Sequence, residues 1–442
     1  MKSREYNRAG TKMTDVDVFQ NIEKVNTNTL TFTMSPVNVT YANTLRRAIQ
    51  TEVEIVGFRA DMLEDGSTSD VKIYKNTTPM SNEMLADRIG LLPIVMDSEG
   101  WSDKEKILFR LHVVNDTEDV RLVTASDFEC LERRPDAEER VRIPNTRFFR
   151  PDPITQETAI IAVLKPLVQG QKPEEIHLEA WASLGKGREH TRFNPTCQCS
   201  YGYTRDEDPV RIQELWKTWL ISQKKVDVAD LEKDSDRKAM LEREFRSLEI
   251  YRCYKIDSKK EPYSYDFTVE SIGAVGVEKI VSNALASVAT LCEKYASIDR
   301  GDLPDRLDIR PADARMKGFD LWFGGEDHTL GNLLQTWLVD NKVGRVEEDG
   351  GVDFVGYKVP HPLRDEMLLR IGVEDPSKKF DEGAVRLAVA EAAKACAEMF
   401  RTWSVQWSAS SASASSSAST SSVASIKTPW NAHAAAKGAK GA

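Results

Sequence analysis

The sequence predicts an α+β protein: two similar modules paired within one chain, the first carrying an inserted β-rich domain. Three observations lead there. A strand–turn–helix pattern occurs twice at one offset, each copy ends in a long amphipathic helix, and the two halves of the first copy are separated by a strand-rich stretch. The 442 residues allow two to four domains. With 40% apolar and 29% charged residues the mixture is that of an ordinary globular protein.

The repeat aligns residues 30–49, LTFTMSPVNVTYANTLRRAI, with 319–338, FDLWFGGEDHTLGNLLQTWL, at a constant offset of 289. Thr40 meets Thr329, Asn43 meets Asn332 and Leu45 meets Leu334. The strands are expected at Thr29–Met34 and Gly318–Phe323. Helices follow, because Ala42, Leu45, Ile49 and Val53, like Leu330, Leu334 and Leu338, recur at helical spacing. Pro36 and Asn38 mark one helix start, Asp327 and Thr329 the other. A second matched segment follows each helix: EIVGFRAD (54–61) and DFVGYKVP (353–360). The offset is then 299, the longer connection being NKVGRVEEDGG.

The closing helices carry stripes at spacings of three and four. One runs through Ile280, Ala284, Val288 and Leu291 to Tyr295, the other through Val385, Val389, Cys396 and Phe400 to Trp403. Each gives a wide apolar face. Two matched faces in two matched modules imply a pseudo-two-fold pairing in cis.

The first module is assigned to residues 15–66 and 259–298, and the inserted domain to 67–258. Stretches such as KILFRLHVV, TAIIAVLK and IHLEAWASL make the insertion mostly β. Residues 206–251 instead have helical spacing and dense charge, with Leu215, Trp219 and Ile221 expected to dock on a neighbour. Residues 299–316, charged and with two prolines, read as a linker, and 317–403 as the second module. Residues 404–442, rich in Ser and Ala, read as a disordered tail.

A charge of −10 argues against a chain that grips phosphate backbones by itself. Six scattered cysteines read as reduced thiols of an intracellular protein, and no segment has the ~20 apolar residues of a membrane span. The N-terminus lacks the apolar region of a secretion signal.

Catalytic readings fare poorly. Glu326, Asp327 and His328 sit at a helix start, where acidic groups cap exposed amides. The histidines show no zincin spacing and no serine sits in a nucleophile elbow. Cys197 and Cys199, two apart on a strand, are expected to share a face, but a structural zinc site needs four ligands. They read as packing residues, and no metal or cofactor is expected. Two rivals from other classes remain: a metal-dependent hydrolase using His190, Cys197, Cys199 and His328, and a free DNA-binding transcription factor.

In order along the chain, VNVTYANTLRRAIQTEVE, NTTPMSNEMLADRIGLLPI, GREHTRFNPTCQCSYGY and YSYDFTVESIGAVGVEKIVSNAL resemble the third subunit of eukaryotic-type DNA-directed RNA polymerase. That family includes the archaeal D subunit and the bacterial alpha N-terminal domain. GGEDHTLGNLLQTWLVDN and FVGYKVPHPLRDEMLLRIGV resemble the eleventh subunit and its archaeal counterpart, L. The chain thus resembles a fusion of the two, as in large DNA viruses, across residues 25–403.

The resemblance implies a non-catalytic assembly platform whose partners are the two largest polymerase subunits and a small zinc-containing subunit. DNA would be met only through the assembled enzyme, and no homo-oligomer is expected. A viral origin would place it in host cytoplasm and virion, a cellular one in the nucleus. The implied interface comprises Leu45, Arg46, Arg47, Asp87, Arg88, Glu326, Asp327, His328, Asn332 and His361. Arg46 and Arg47 are expected to face a large subunit. Their counterparts Gln335 and Thr336 are uncharged, so the two modules are not expected to bind the same surface.

Overall fold

A computed structural model of the chain describes residues 17–61, 69–99, 101, 103–134, 139–226, 231, 234–313, 317–344, 351–374 and 380–417. In the first module, four antiparallel strands form a sheet in the order Phe19–Lys24, Thr29–Met34, Tyr265–Ser271, Thr196–Tyr203. Phe32 lies opposite Phe267 in register, and their rings stack at 4.9 Å. Helix α1 (Val39–Thr51) begins at Asn38, whose side chain accepts from the Thr40 amide. Its Ala42, Leu45, Ala48 and Ile49 are fully buried against the sheet.

The strand Glu54–Gly57 leaves this sheet and pairs with Ser183–Lys186. Gly57 and Gly185 accommodate the ring of Phe193: a Cβ would lie 2.9 Å from that ring at the first and 2.6 Å at the second. The inserted domain holds a five-stranded sheet, ordered Val71–Asn76, Glu174–Trp181, Ile107–Asn115, Glu129–Glu132, Val141–Ile143. A two-stranded ribbon (Arg121–Thr124 with Ile160–Leu164) and helix α2 (Asn82–Gly90) complete it. A separate core around Phe58, Phe109, Phe128 and Phe148 holds these elements together.

Helix α3 (Pro209–Trp219), one π-helical turn (Leu220–Lys224) and helix α4 (Ser235–Ser247) form a small body with its own core of Trp216, Trp219, Leu241 and Phe245. Ile221 does not join it and is exposed. Two residues past Trp219 is about 200° around a helix, on the opposite face. The chain returns through Tyr265–Ser271 to α5 (Val277–Glu293).

The second module has a sheet ordered Leu307–Pro311, Lys317–Gly324, Glu366–Val373, Phe354–Lys358, with α6 (His328–Asn341) and α7 (Glu382–Ser417). The helices α5 and α7 pack along each other. α7, and α5 with the turn that follows it, also enter the other module's core. Phe400, Trp403 and Trp407 join the first module's core, and Leu291, Tyr295 and Ile298 join the second's. Among the described residues no helix is long and apolar enough to cross a membrane.

Four expectations change. Thr196–Tyr203, assigned to the insertion, is the edge strand of the first module's sheet, paired with Tyr265–Ser271. The sequence-matched Phe354–Lys358 has the equivalent place in the second sheet. Glu54–Gly57 is drawn away because the insertion begins there. Part of the expected linker is a strand, since its Leu307–Pro311 pairs with Lys317–Gly324. Its alternation is masked by Asp308 and Arg310, which pair with each other. The expected tail does not begin at residue 404: α7 continues to Ser417. Extending a formed helix costs far less than starting one, and buried Trp403 and Trp407 anchor this one. The rest of the expected tail, 418–442, lies outside the described residues, as do linker residues 314–316 and 345–350 of the longer connection.

Candidate functional site

The two helix starts meet where the modules join. Asp327, the N-cap of α6, accepts from the Thr329 amide through Oδ1 at 2.7 Å. Its Oδ2 accepts from Arg47 Nη2 at 2.9 Å, and Arg47 Nε donates to Thr329 Oγ1 at 2.9 Å. Thr40 Oγ1 lies 2.9 Å from Thr336 Oγ1, and Asn332 Nδ2 donates to Thr40 Oγ1 at 3.4 Å. Arg188 bridges the same corner. It lies 3.0 Å from Glu52 and 3.6 Å from Asp327, and it donates to the Gly325 carbonyl at 2.7 Å.

Burial pushes the Asp327 carboxyl up. The Thr329 bonds and the Arg188 and Arg47 charges outweigh it and hold the group below its ordinary value. Glu326, next door, goes the other way. It is 5% exposed, and burial raises its carboxyl despite Lys294, Tyr295 and Arg188. Tyr295 donates to its Oε1 at 3.0 Å, and its Oε2 has no hydrogen-bond partner among the described residues.

The expected interface residues therefore separate. Arg47, Glu326, Asp327 and Asn332 gather at the junction, where Arg47 is engaged by the second module. Leu45 is fully buried and offers nothing to an outside partner, because it lies on the apolar stripe of α1. Arg46 bonds along its own helix, to Asn43 at 3.0 Å and Gln50 at 2.9 Å, and stays half-exposed. His328 Nδ1 is 3.3 Å from the Tyr357 hydroxyl. His361 accepts from the Leu363 amide in its own turn.

The remaining two belong to the inserted domain. Arg88 donates to the Ile160 and Ile161 carbonyls, and the exposed Asp87 is 3.5 Å from the buried guanidinium of Arg192. Sequence reading missed Arg188, Glu52 and Tyr295. Thr40 and Thr329 are visible as a repeat pair, but Arg188 lies in the turn after Ser183–Lys186 and carries no local signal.

No metal centre assembles from the cysteines. A β-bulge between Thr196 and Gln198 breaks the alternation, so Cys197 is exposed while Cys199 is buried under the Arg46 carbonyl. They do not share a face. His190 instead caps a turn through the Arg192 amide. Among the described residues no group of three or more His, Cys, Asp or Glu is placed to hold a metal. Burial pushes the Cys130, Cys199 and Cys292 thiols up to about 12, the opposite of an activated nucleophile.

Comparison with known proteins bears on the two modules. A family model of the RNA polymerase Rpb3/Rpb11 dimerisation domain matches residues 31–292, more than half of the chain, and a second model of the same description matches 319–404. Relatives include a conjugation stage-specific protein of Tetrahymena thermophila, 28% identical over 38% of this chain and 53% of its own length. DNA-directed RNA polymerase subunit Rpo3 of Methanothermobacter thermautotrophicus is 29% identical over 41% of this chain and 60% of its own length. The chain thus spans roughly half to three fifths of these two. DNA-directed RNA polymerase II subunit rpb3 of Dictyostelium discoideum is 24% identical over 60% of this chain and 89% of its own length. With the dimerisation domain matched at both ends of one sequence, the chain belongs to the RNA polymerase Rpb3/Rpb11 dimerisation-domain family and carries that domain twice.

Proposed function

We propose that this chain is a non-catalytic assembly platform of a multisubunit DNA-directed RNA polymerase, in which the two dimerisation domains pair in cis. One observation carries the reading. Trp403 and Trp407 of the second module lie in the first module's core, while Leu291 and Tyr295 lie in the second's. Each core is completed by the other module, so the surface that a separate partner would fill is already occupied. The isolated chain is then a monomer at micromolar concentration.

The paired modules bind the two largest polymerase subunits and a small zinc-containing subunit, and reach DNA only through them, inside the cell. Arg47 is committed to the junction, so the half-exposed Arg46 is the better candidate for a large-subunit contact. The test is co-expression of the tagged chain with the two largest subunits. Stoichiometric recovery is expected, reduced in Arg46→Ala. Recovery of the chain alone would sink the proposal. A fusion of this kind also fits a viral enzyme, which purification from the natural source would decide.

A further inference from the structure

The two helix starts at the junction are equivalent in position but not in charge. At the repeat offset of 289, Asn38 corresponds to Asp327, Thr40 to Thr329 and Arg47 to Thr336. Asn38 and Asp327 are both N-caps, each accepting from the amide two residues on. The contacts are reciprocal, as a two-fold relation between like surfaces requires. Thr40 meets Thr336 at 2.9 Å, and its counterpart Thr329 meets Arg47 at 2.9 Å. One end is neutral. The other carries Arg47 against Asp327, with Arg188 beside them.

Consider the alternatives. A two-fold pair of first modules would set Arg47 beside Asn38 at both ends, with no carboxylate for either guanidinium. A pair of second modules would set Asp327 beside Thr336 at both ends, with no cation for either carboxylate. The mixed pair alone matches one with the other. We infer that the Arg47–Asp327 contact selects the partner, favouring a first module with a second over like with like.

This rests on the in-chain pairing proposed above. The two side chains are 29% and 34% exposed. Their contribution is therefore modest, about fivefold or ~1 kcal/mol. The buried tryptophans supply affinity, and the charges supply discrimination.

In the intact chain the tether hides this preference, since it presents the second module at an effective concentration of roughly millimolar. The test removes the tether after folding. A protease site is inserted after the exposed Asp302, leaving Gly301, at φ +78°, in place. The folded full-length chain is cut, both pieces are kept, and native mass spectrometry reads mixed against like pairs after equilibration.

N38D gives the first module both charges. It is expected to raise like pairs of that module about fivefold relative to mixed pairs, an effect that 1 M salt abolishes. Adding R47T, D327N and T336R moves the single charge pair to the opposite end of the junction, leaves both like pairs without one, and should restore the mixed pair. Both variants carry the N38D change, so this rescue separates selection from misfolding. An unchanged ratio in N38D, or no rescue by the added R47T, D327N and T336R exchange, would mean that apolar packing alone chooses the partner, and the inference falls. If the uncut chain is instead a dimer with exchanged modules, it is the in-chain pairing that falls. The N38D comparison still decides selection.

Discussion

Arg47 donates from Nη2 to Asp327 Oδ2 at 2.9 Å, tying α1 to the residue that caps α6. Its neighbour Arg46 makes bonds only a turn away on its own helix. The adjacent arginines therefore differ, one bonded across the junction and one along its own helix. Arg47→Ala is expected to cost about 1–2 kcal/mol, because it removes charge-assisted bonds at a half-buried site. Arg46→Ala should stay within ~0.5 kcal/mol, as exposed substitutions usually do. Denaturant midpoints of the two variants check this, and equal midpoints would contradict the assignment.

Glu326 and Asp327 should respond to pH in opposite senses. The Asp327 carboxyl is depressed in the fold. Its stabilisation is present above the unfolded value of about 4 and lost as pH falls through the lower folded value. The Glu326 carboxyl is raised. Stability is intact below its unfolded value of about 4.3 and is lost as pH rises through the higher folded value. At pH 7, E326Q should raise the unfolding temperature and D327N, which keeps the cap, should lower it. Scanning calorimetry at neutral and acid pH should show both differences shrinking in acid.

Thiol chemistry gives a third test. Cys197 is exposed and the other five cysteines are buried. A thiol reagent should modify one group in the native chain and six after unfolding. C197S should be nearly silent, and C199S should cost ~1–2 kcal/mol by placing a hydroxyl in an apolar core. The chain should fold without zinc. Stoichiometric zinc that disappears in the double variant would overturn that reading.

The repeat was legible because period and polarity recorded it. The pattern places Thr29–Met34 at its observed bounds, and Asn38 and Asp327 carry the helix-start signals of the two observed N-caps. What stayed hidden depended on long-range partners. Phe19–Lys24 has one buried residue and reads as a polar segment until Thr29–Met34 pairs with it. Arg188 gains meaning only when the insertion's return path brings it to Glu52 and Asp327. The charge mismatch between Asn38 and Asp327 stood in the alignment, but Arg47 had first to be seen crossing the junction.

The last prediction concerns the arm that α7 extends across that junction. Trp407 is 1% exposed. Its ring meets Phe19 edge-on at 5.1 Å and Phe32 at 5.0 Å, and its Nε1 donates to the Glu278 carbonyl at 2.9 Å. All three partners belong to the first module. W407A is expected to cost about 3–5 kcal/mol, the usual range for a large aromatic truncated in a core. W407F should cost less, since it leaves a smaller void and loses one hydrogen bond. Truncation after Thr402 removes Trp403 as well, yet leaves Val385, Val389 and Leu369 in the second module's core. Amide exchange should therefore rise in strands 19–24 and 29–34 while strand 366–373 stays protected. The borrowed tryptophans come from the second module, so damage should appear in the module that lacks them and not in the one that lost them. Equal loosening of both sheets would show that the modules open as one cooperative unit and that the arm is not a local seal.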